Sequence, residues 1–147
     1  MEISDLVTPD QVIVGLKARS KAHLLTELAR KTAPATGLPQ KQIADALQAR
    51  ESLGSTGVGA GIAIPHAQIA GLDRFHALFG RLSRPIDYDA IDGHPVDLVF
   101  LLLIPANSKE HLQALAAISR RLRNQAVAAN LRQAGTSREL YEALAAD

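Results

Sequence analysis

The spacing of apolar and polar positions changes period several times along the chain. Residues 11–16, QVIVGL, form a short β-branched run that predicts a strand. From Ser20 the period becomes helical: Leu24, Leu25 and Leu28 fall on one side, and His23, Glu27 and Arg30 on the other. Ser20 therefore reads as the N-cap of a helix ending near Ala33, stopped by Pro34 and Gly37. Pro39 opens a second helix to about Arg50, with Ile43, Ala46 and Leu47 as its apolar stripe. Residues 53–61 hold glycines 54, 57, 59 and 61 with Ser55 and Thr56 among them, and predict a loop. A short strand follows over 62–64, and a third over about 75–82. After the turn-rich DYDAIDGHP comes VDLVFLLLIP, apolar almost throughout, as expected of a central strand buried on both faces. Asn107 or Ser108 can cap the next helix, which carries Leu112, Leu115, Ile118 and Leu122 at helical spacing. Asn124 caps a shorter helix to Ala134, ended by Gly135, and Thr136 with Glu139 has capping-box spacing for a last helix over 137–146. No linker or repeat interrupts this order, so one α/β domain over 1–147 is expected.

Composition narrows the function classes. The 147 residues are 47% apolar and 21% charged, enough for a real hydrophobic core in an ordinary globular chain. A formal net charge of +1 with 3% aromatic residues and no Trp argues against nucleic-acid partners, which need basic patches and stacking platforms. The absence of cysteine removes disulfides, zinc-thiolate sites and thiol catalysis. MEISDLVTPD places acids where a signal peptide would place bases, and the longest apolar run, 96–105, contains Asp97 and is too short to span a bilayer. A cytoplasmic protein without membrane insertion is the expectation.

Two apolar strands end in Ile-Pro, at Ile64-Pro65 and Ile104-Pro105, and each is followed by a histidine, His66 and His111. If those strands run parallel and adjacent, both imidazoles reach the same edge of the sheet, where α/β ligand sites gather. Proline cannot donate to the strand ladder, so Pro65 is expected to end the pairing and stiffen the segment that presents His66. Three chemistries stay open for such a pair. Zinc sites need three or four ligands, and neither HxH nor HExxH is present. A serine hydrolase has Ser52 and Ser55 nearby but lacks the GxSxG elbow. Phosphoryl transfer uses a neutral imidazole as nucleophile, and the surroundings offer anion-binding parts. These are the glycine-rich loop, the N-terminus of the helix after Ser108, and Arg50 as a charged clamp. GVGAG is neither GxGxxG nor a P-loop, and no carboxylate pair marks magnesium, so the phosphoryl group would arrive already activated. His23 reads as solvent-facing, His76 as packing, His94 as part of a turn, and Arg120, Arg121 and Arg123 as a wet surface patch.

ARESLGSTGVGAGIAIPHA, residues 49–67, closely resembles the active-site signature of enzyme IIA of the mannitol/fructose class of the bacterial phosphoenolpyruvate-dependent phosphotransferase system. PIDYDAIDGHPVDLVFLLLIP (85–105) and SKEHLQALAAISRRL (108–122) resemble its later blocks, and LRQAGTSRELYEAL resembles the ending of the nitrogen-regulatory subtype. The resemblance implies an α/β fold with a mixed, mostly parallel sheet flanked by helices on both faces. It implies that His66 accepts a phosphoryl group from phosphohistidine on an HPr-like phosphocarrier, the NPr of the nitrogen branch. His111 matches a neighbouring histidine that hydrogen-bonds the phosphoryl group, and Arg50 an arginine that binds phosphate and donor. Ser55, Thr56, Gly57, Gly59 and Gly61 would form the phosphate-cradling loop. No cofactor or metal is implied. The phosphorylation state would control target proteins such as potassium-transport or sensor-kinase components; the alternatives are a sugar IIA that feeds a separate IIB, and a binding module that is never phosphorylated. Two positions depart from the pattern: Ala60 stands where asparagine is common, and Ala67 where glycine is common.

Overall fold

The computed structural model describes residues 1–146. Among these, six strands form one sheet: β1 (Val12–Leu16), β2 (Gly57–Gly59), β3 (Ile62–Ala63), β4 (His66–Ile69), β5 (His76–Ile86) and β6 (Val96–Pro105). Five helices accompany them: α1 (Lys21–Thr36), α2 (Gln40–Ser52), α3 (His111–Arg123), α4 (Gln125–Gln133) and α5 (Ser137–Ala145). β6 is the organising strand. It pairs antiparallel with β5 on one side and parallel with both β3 and β4 on the other. β1 runs parallel to β5, and β2 folds back antiparallel on β3. The sheet is therefore mixed, with mostly parallel pairings, as the resemblance implies.

Alternation along β6 explains why its sequence is apolar without a break. Leu98, Phe100, Leu102 and Ile104 enter the layer beneath α3, α4 and α5. Val99, Leu101 and Leu103 enter the layer beneath α1 and α2. Helices thus cover both faces, and neither layer leaves β6 a solvent side.

Local chemistry explains four departures from the sequence expectations. α1 does not stop at Ala33: it carries Pro34 inside and ends at Gly37, whose φ of 72° and N–H to the Ala33 carbonyl make the left-handed cap. Residues 53–61 are not all loop, because Gly57–Gly59 pairs with β3. Pro65 interrupts the sheet without ending it. β3 pairs Ile62 with Leu98 and β4 pairs His66 with Leu102, so the register on β6 is the same on both sides of the proline. Pro65 lacks a donor, yet its carbonyl still accepts from Leu102 N at 3.0 Å, and that keeps the two strands in line. Finally, neither Asn107 nor Ser108 caps α3. Glu110 is its N-cap, while Ser108 Oγ accepts from Glu110 N at 3.1 Å in the turn before it. The other three caps form as expected, Ser20 accepting from His23 N, Asn124 from Val127 N and Thr136 from Glu139 N.

Candidate functional site

His66 is the first residue of β4, half-buried, beside a central strand. It shares strand parity with Ile62 and Ile64, which lie in the layer under α3. Its Nδ1 lies 2.8 Å from the Ile64 carbonyl oxygen. A carbonyl can only accept, so Nδ1 carries the proton and Nε2 keeps its lone pair. Burial holds the imidazole below its ordinary pKa of 6.5, and the positive charges of Arg50 and His111 push the same way. The Ile64 hydrogen bond and the negative charge of Glu51 oppose the shift without cancelling it. Near neutral pH, therefore, His66 presents an unprotonated Nε2 from a fixed ring.

The structure brings Arg50 and His111 to this histidine. Arg50 lies in the last turn of α2, where its Nη1 donates to the Gly54 carbonyl at 2.9 Å. A guanidinium has five N–H groups, so this anchor leaves donors for an anion. His111 opens α3, with its Nδ1 buried and without a hydrogen-bond partner among the described residues. Two large apolar side chains stand exposed next to these groups in the chain: Leu53 after α2 and Leu112 after His111.

The glycine-rich segment is more committed than its sequence implies. Thr56 N–H donates to Glu51 Oε1 at 3.0 Å, and Gly57 N–H to Ser55 Oγ at 3.0 Å. Ser55 gives its hydroxyl to the Tyr88 carbonyl, and Ser52 gives its own to Gln48. Neither serine is thus aligned with His66 as a hydrolase would require. Gly57 has no room for a side chain, since a Cβ there would stand 2.8 Å from Ala90 Cβ. Gly59 packs against Asp92, and Gly61 against Arg132 and Asp97. Among the described residues no three side chains of metal-ligand type come together. His23 accepts from Arg19 N, His76 meets Gln11, and His94 stays exposed, so these three remain outside the site.

Sequence reasoning missed Glu51. It is only 9% exposed, and its carboxylate accepts from Thr56 N, Thr56 Oγ1, Tyr88 Oη and Lys21 Nζ. A signal was present: Glu51 continues the Ile43 and Leu47 stripe at i+4 spacing, which places it on the buried side of α2.

Known proteins resemble this chain along nearly its whole length. A nitrogen regulatory protein of Bradyrhizobium diazoefficiens is 47% identical over 146 residues, covering 99% of this chain and 95% of that protein. One from Pseudomonas aeruginosa is 39% identical over 146 residues, covering 97% and 94%. The crystal structure of the nitrogen regulatory protein IIA-Ntr from Neisseria meningitidis superposes with a TM-score of 0.91 at 31% identity, covering 97% of this chain and 98% of that one. Among the described residues no helix is long and apolar enough to cross a membrane. Residues 5–147 match the family described as phosphoenolpyruvate-dependent sugar phosphotransferase system, EIIA 2, and to that family this chain belongs.

Proposed function

We propose that this protein is a regulatory phosphocarrier in which His66 accepts a phosphoryl group from phosphohistidine on an HPr-like carrier and thereby controls partner proteins. One observation carries the reading: Nδ1–H of His66 is held by the Ile64 carbonyl, which leaves Nε2 unprotonated and aimed away from that anchor. The lone pair of Nε2 attacks phosphorus. The donor's N–P bond breaks, and its electron pair returns to the donor imidazole. Positive charge that develops on the His66 ring is stabilised at Nδ1–H by the Ile64 oxygen. Arg50 offers charged N–H groups to the phosphoryl oxygens, and His111 stands beside them as a hydrogen-bond donor. Of the glycine-rich segment, Thr56 supports the site, its carbonyl accepting from Ile64 N at 3.0 Å, whereas Gly59 and Gly61 pack against Asp92, Asp97 and Arg132. Exposed Leu53 and Leu112 suit a docking carrier, because transfer demands contact between two proteins.

Phosphorylation adds roughly −1.5 to −2 charges if phosphohistidine behaves like other phosphorylated side chains, enough to favour some partners and repel others. The targets in this reading are potassium-transport or sensor-kinase components in the cytoplasm, as the likeness to the nitrogen-regulatory subtype implies. The protein would act as a relay, with no small-molecule turnover of its own. Incubation with phosphoenolpyruvate, enzyme I and the HPr-like carrier should add one acid-labile phosphoryl group by intact mass. His66→Ala should take none, and His111→Ala should label slowly or lose the label quickly. Rapid onward transfer to a purified IIB would make the chain a sugar-uptake component instead. An unlabelled wild type, beside a IIA that labels, would leave it a binding module.

A further inference from the structure

Glu51 follows Arg50 directly in α2, but its side chain is buried rather than offered to the site. A buried carboxylate is costly unless it is paired and fully hydrogen-bonded, and this one is. Oε1 accepts from Thr56 N at 3.0 Å and faces Lys21 Nζ at 3.1 Å. Oε2 accepts from Thr56 Oγ1 and from the Tyr88 hydroxyl, the latter at 3.2 Å. Lys21 also lies over the Tyr88 ring, 4.7 Å from its centroid. Burial and the Glu51 charge hold the Tyr88 phenol well above its ordinary pKa, so it stays a donor. The cluster ties the start of α1, the end of α2 and the segment after β5 to one residue, Thr56.

From Thr56 the connection runs on to the acceptor. The Thr56 carbonyl accepts from Ile64 N at 3.0 Å, and the Ile64 carbonyl accepts from His66 Nδ1 at 2.8 Å. We propose that Glu51 is a positioning residue for phosphoryl transfer: it fixes Thr56, Thr56 fixes the Ile64 peptide, and that peptide sets the ring orientation and tautomer of His66. This rests on His66 being the acceptor. A carboxylate that merely closed the 53–57 turn would not govern which ring nitrogen of His66 carries the proton.

The test is a two-bond 1H–15N correlation spectrum of the 15N-labelled full chain, with His66 assigned by its loss in His66→Gln. Glu51→Gln should move proton population from Nδ1 to Nε2 and slow phosphorylation by the HPr-like carrier by about tenfold or more, the scale of a misplaced reacting group. Thr56→Val should shift the tautomer in the same direction, and Thr56→Ser, which keeps the hydroxyl, should restore the wild-type signal. An unchanged tautomer in Glu51→Gln overturns the proposal. If that variant does not fold, identical His66 signals in Thr56→Val and Thr56→Ser overturn it equally. A wild type that takes no phosphoryl group would instead overturn the acceptor reading alone, since the tautomer measurement uses no donor.

Discussion

Ala60 and Gly61 are the two central residues of the β2–β3 hairpin, between the paired Gly59 and Ile62, and their φ angles are 57° and 79°. Positive φ at both centres is the mark of a type I′ turn, whose preferred dipeptide is Asn-Gly. Gly61 suits the turn and Ala60 does not, because a Cβ in left-handed backbone costs about 1–2 kcal/mol that asparagine partly recovers. The turn is held nonetheless: Ala60 N donates to Asp92 Oδ2 at 2.9 Å, and Arg132 Nη2 donates to the Ala60 carbonyl at 2.8 Å. Asparagine at this place in the resembling signature therefore has a backbone reason. Ala60→Asn is expected to stabilise the protein by about 0.5–1 kcal/mol, where 1 kcal/mol raises the melting midpoint of a chain this size by about 2–4 °C. A midpoint at or below wild type, read by circular dichroism, would show that the strain is absorbed elsewhere. The same scale decides what the sequence revealed of the site. Arg50, His66 and His111 were legible because each combines reactive chemistry with a position at the end or start of an element. For Glu51 only its side of the helix was legible, from the Ile43 and Leu47 stripe; its partners were not. What buries it are Lys21, Thr56 and Tyr88, and no local pattern links three residues so scattered along the chain.

The helices test how far a single proline governs an element. Pro34 forfeits the hydrogen bond its N–H would make to the Arg30 carbonyl, yet α1 continues to Thr36. Two threonines help hold the last turns, with Thr32 Oγ1 donating to the Leu28 carbonyl at 2.8 Å and Thr36 Oγ1 to the Thr32 carbonyl at 3.0 Å. An interior proline costs roughly 3 kcal/mol, less near a helix end, and its restriction of the unfolded chain returns about 0.4–1 kcal/mol. Pro34 is exposed, so its removal opens no cavity. Pro34→Ala should therefore stabilise the protein by about 1–2 kcal/mol in urea unfolding with an unchanged m-value. A loss of stability would mean that the proline's effect on the unfolded chain dominates. Most elements were legible for the reason that β6 was: period and capping are local properties. Two of the misreadings came where tertiary pairing overrode local chemistry. β2 is a strand only because Ile62 and Ala63 lie beside it, and Pro65 fails to end the sheet because β6 continues past it.

At the scale of the whole molecule, two apolar layers share one sheet, and two of the histidines packed into this architecture respond to pH through burial. His66 and His76 both have pKa values held below the ordinary 6.5, desolvation being the leading cause in each. For His76 the charge of Asp10 opposes the shift, as Glu51 and the Ile64 hydrogen bond do for His66. In the unfolded chain both imidazoles titrate near 6.5, so between that pH and their lower folded values the unfolded state binds more protons. Stability must therefore rise with pH through this window. It is complete above about pH 6.5 and is lost as the pH falls toward the folded values, below which the loss levels off. Protonation also removes the lone pair of His66, so the acid side weakens the fold together with the acceptor proposed above. Thermal melts at pH 7.5 and pH 5.0 should show a lower midpoint in acid for the wild type. The double variant His66→Gln/His76→Gln should show a clearly smaller drop, whatever its absolute midpoint. Glu27 and Asp92, whose carboxyls are held below their ordinary range, lose their contribution only at lower pH and do not blur the comparison. An equal drop in wild type and double variant would place the acid sensitivity in other groups and remove burial of these two rings as its cause.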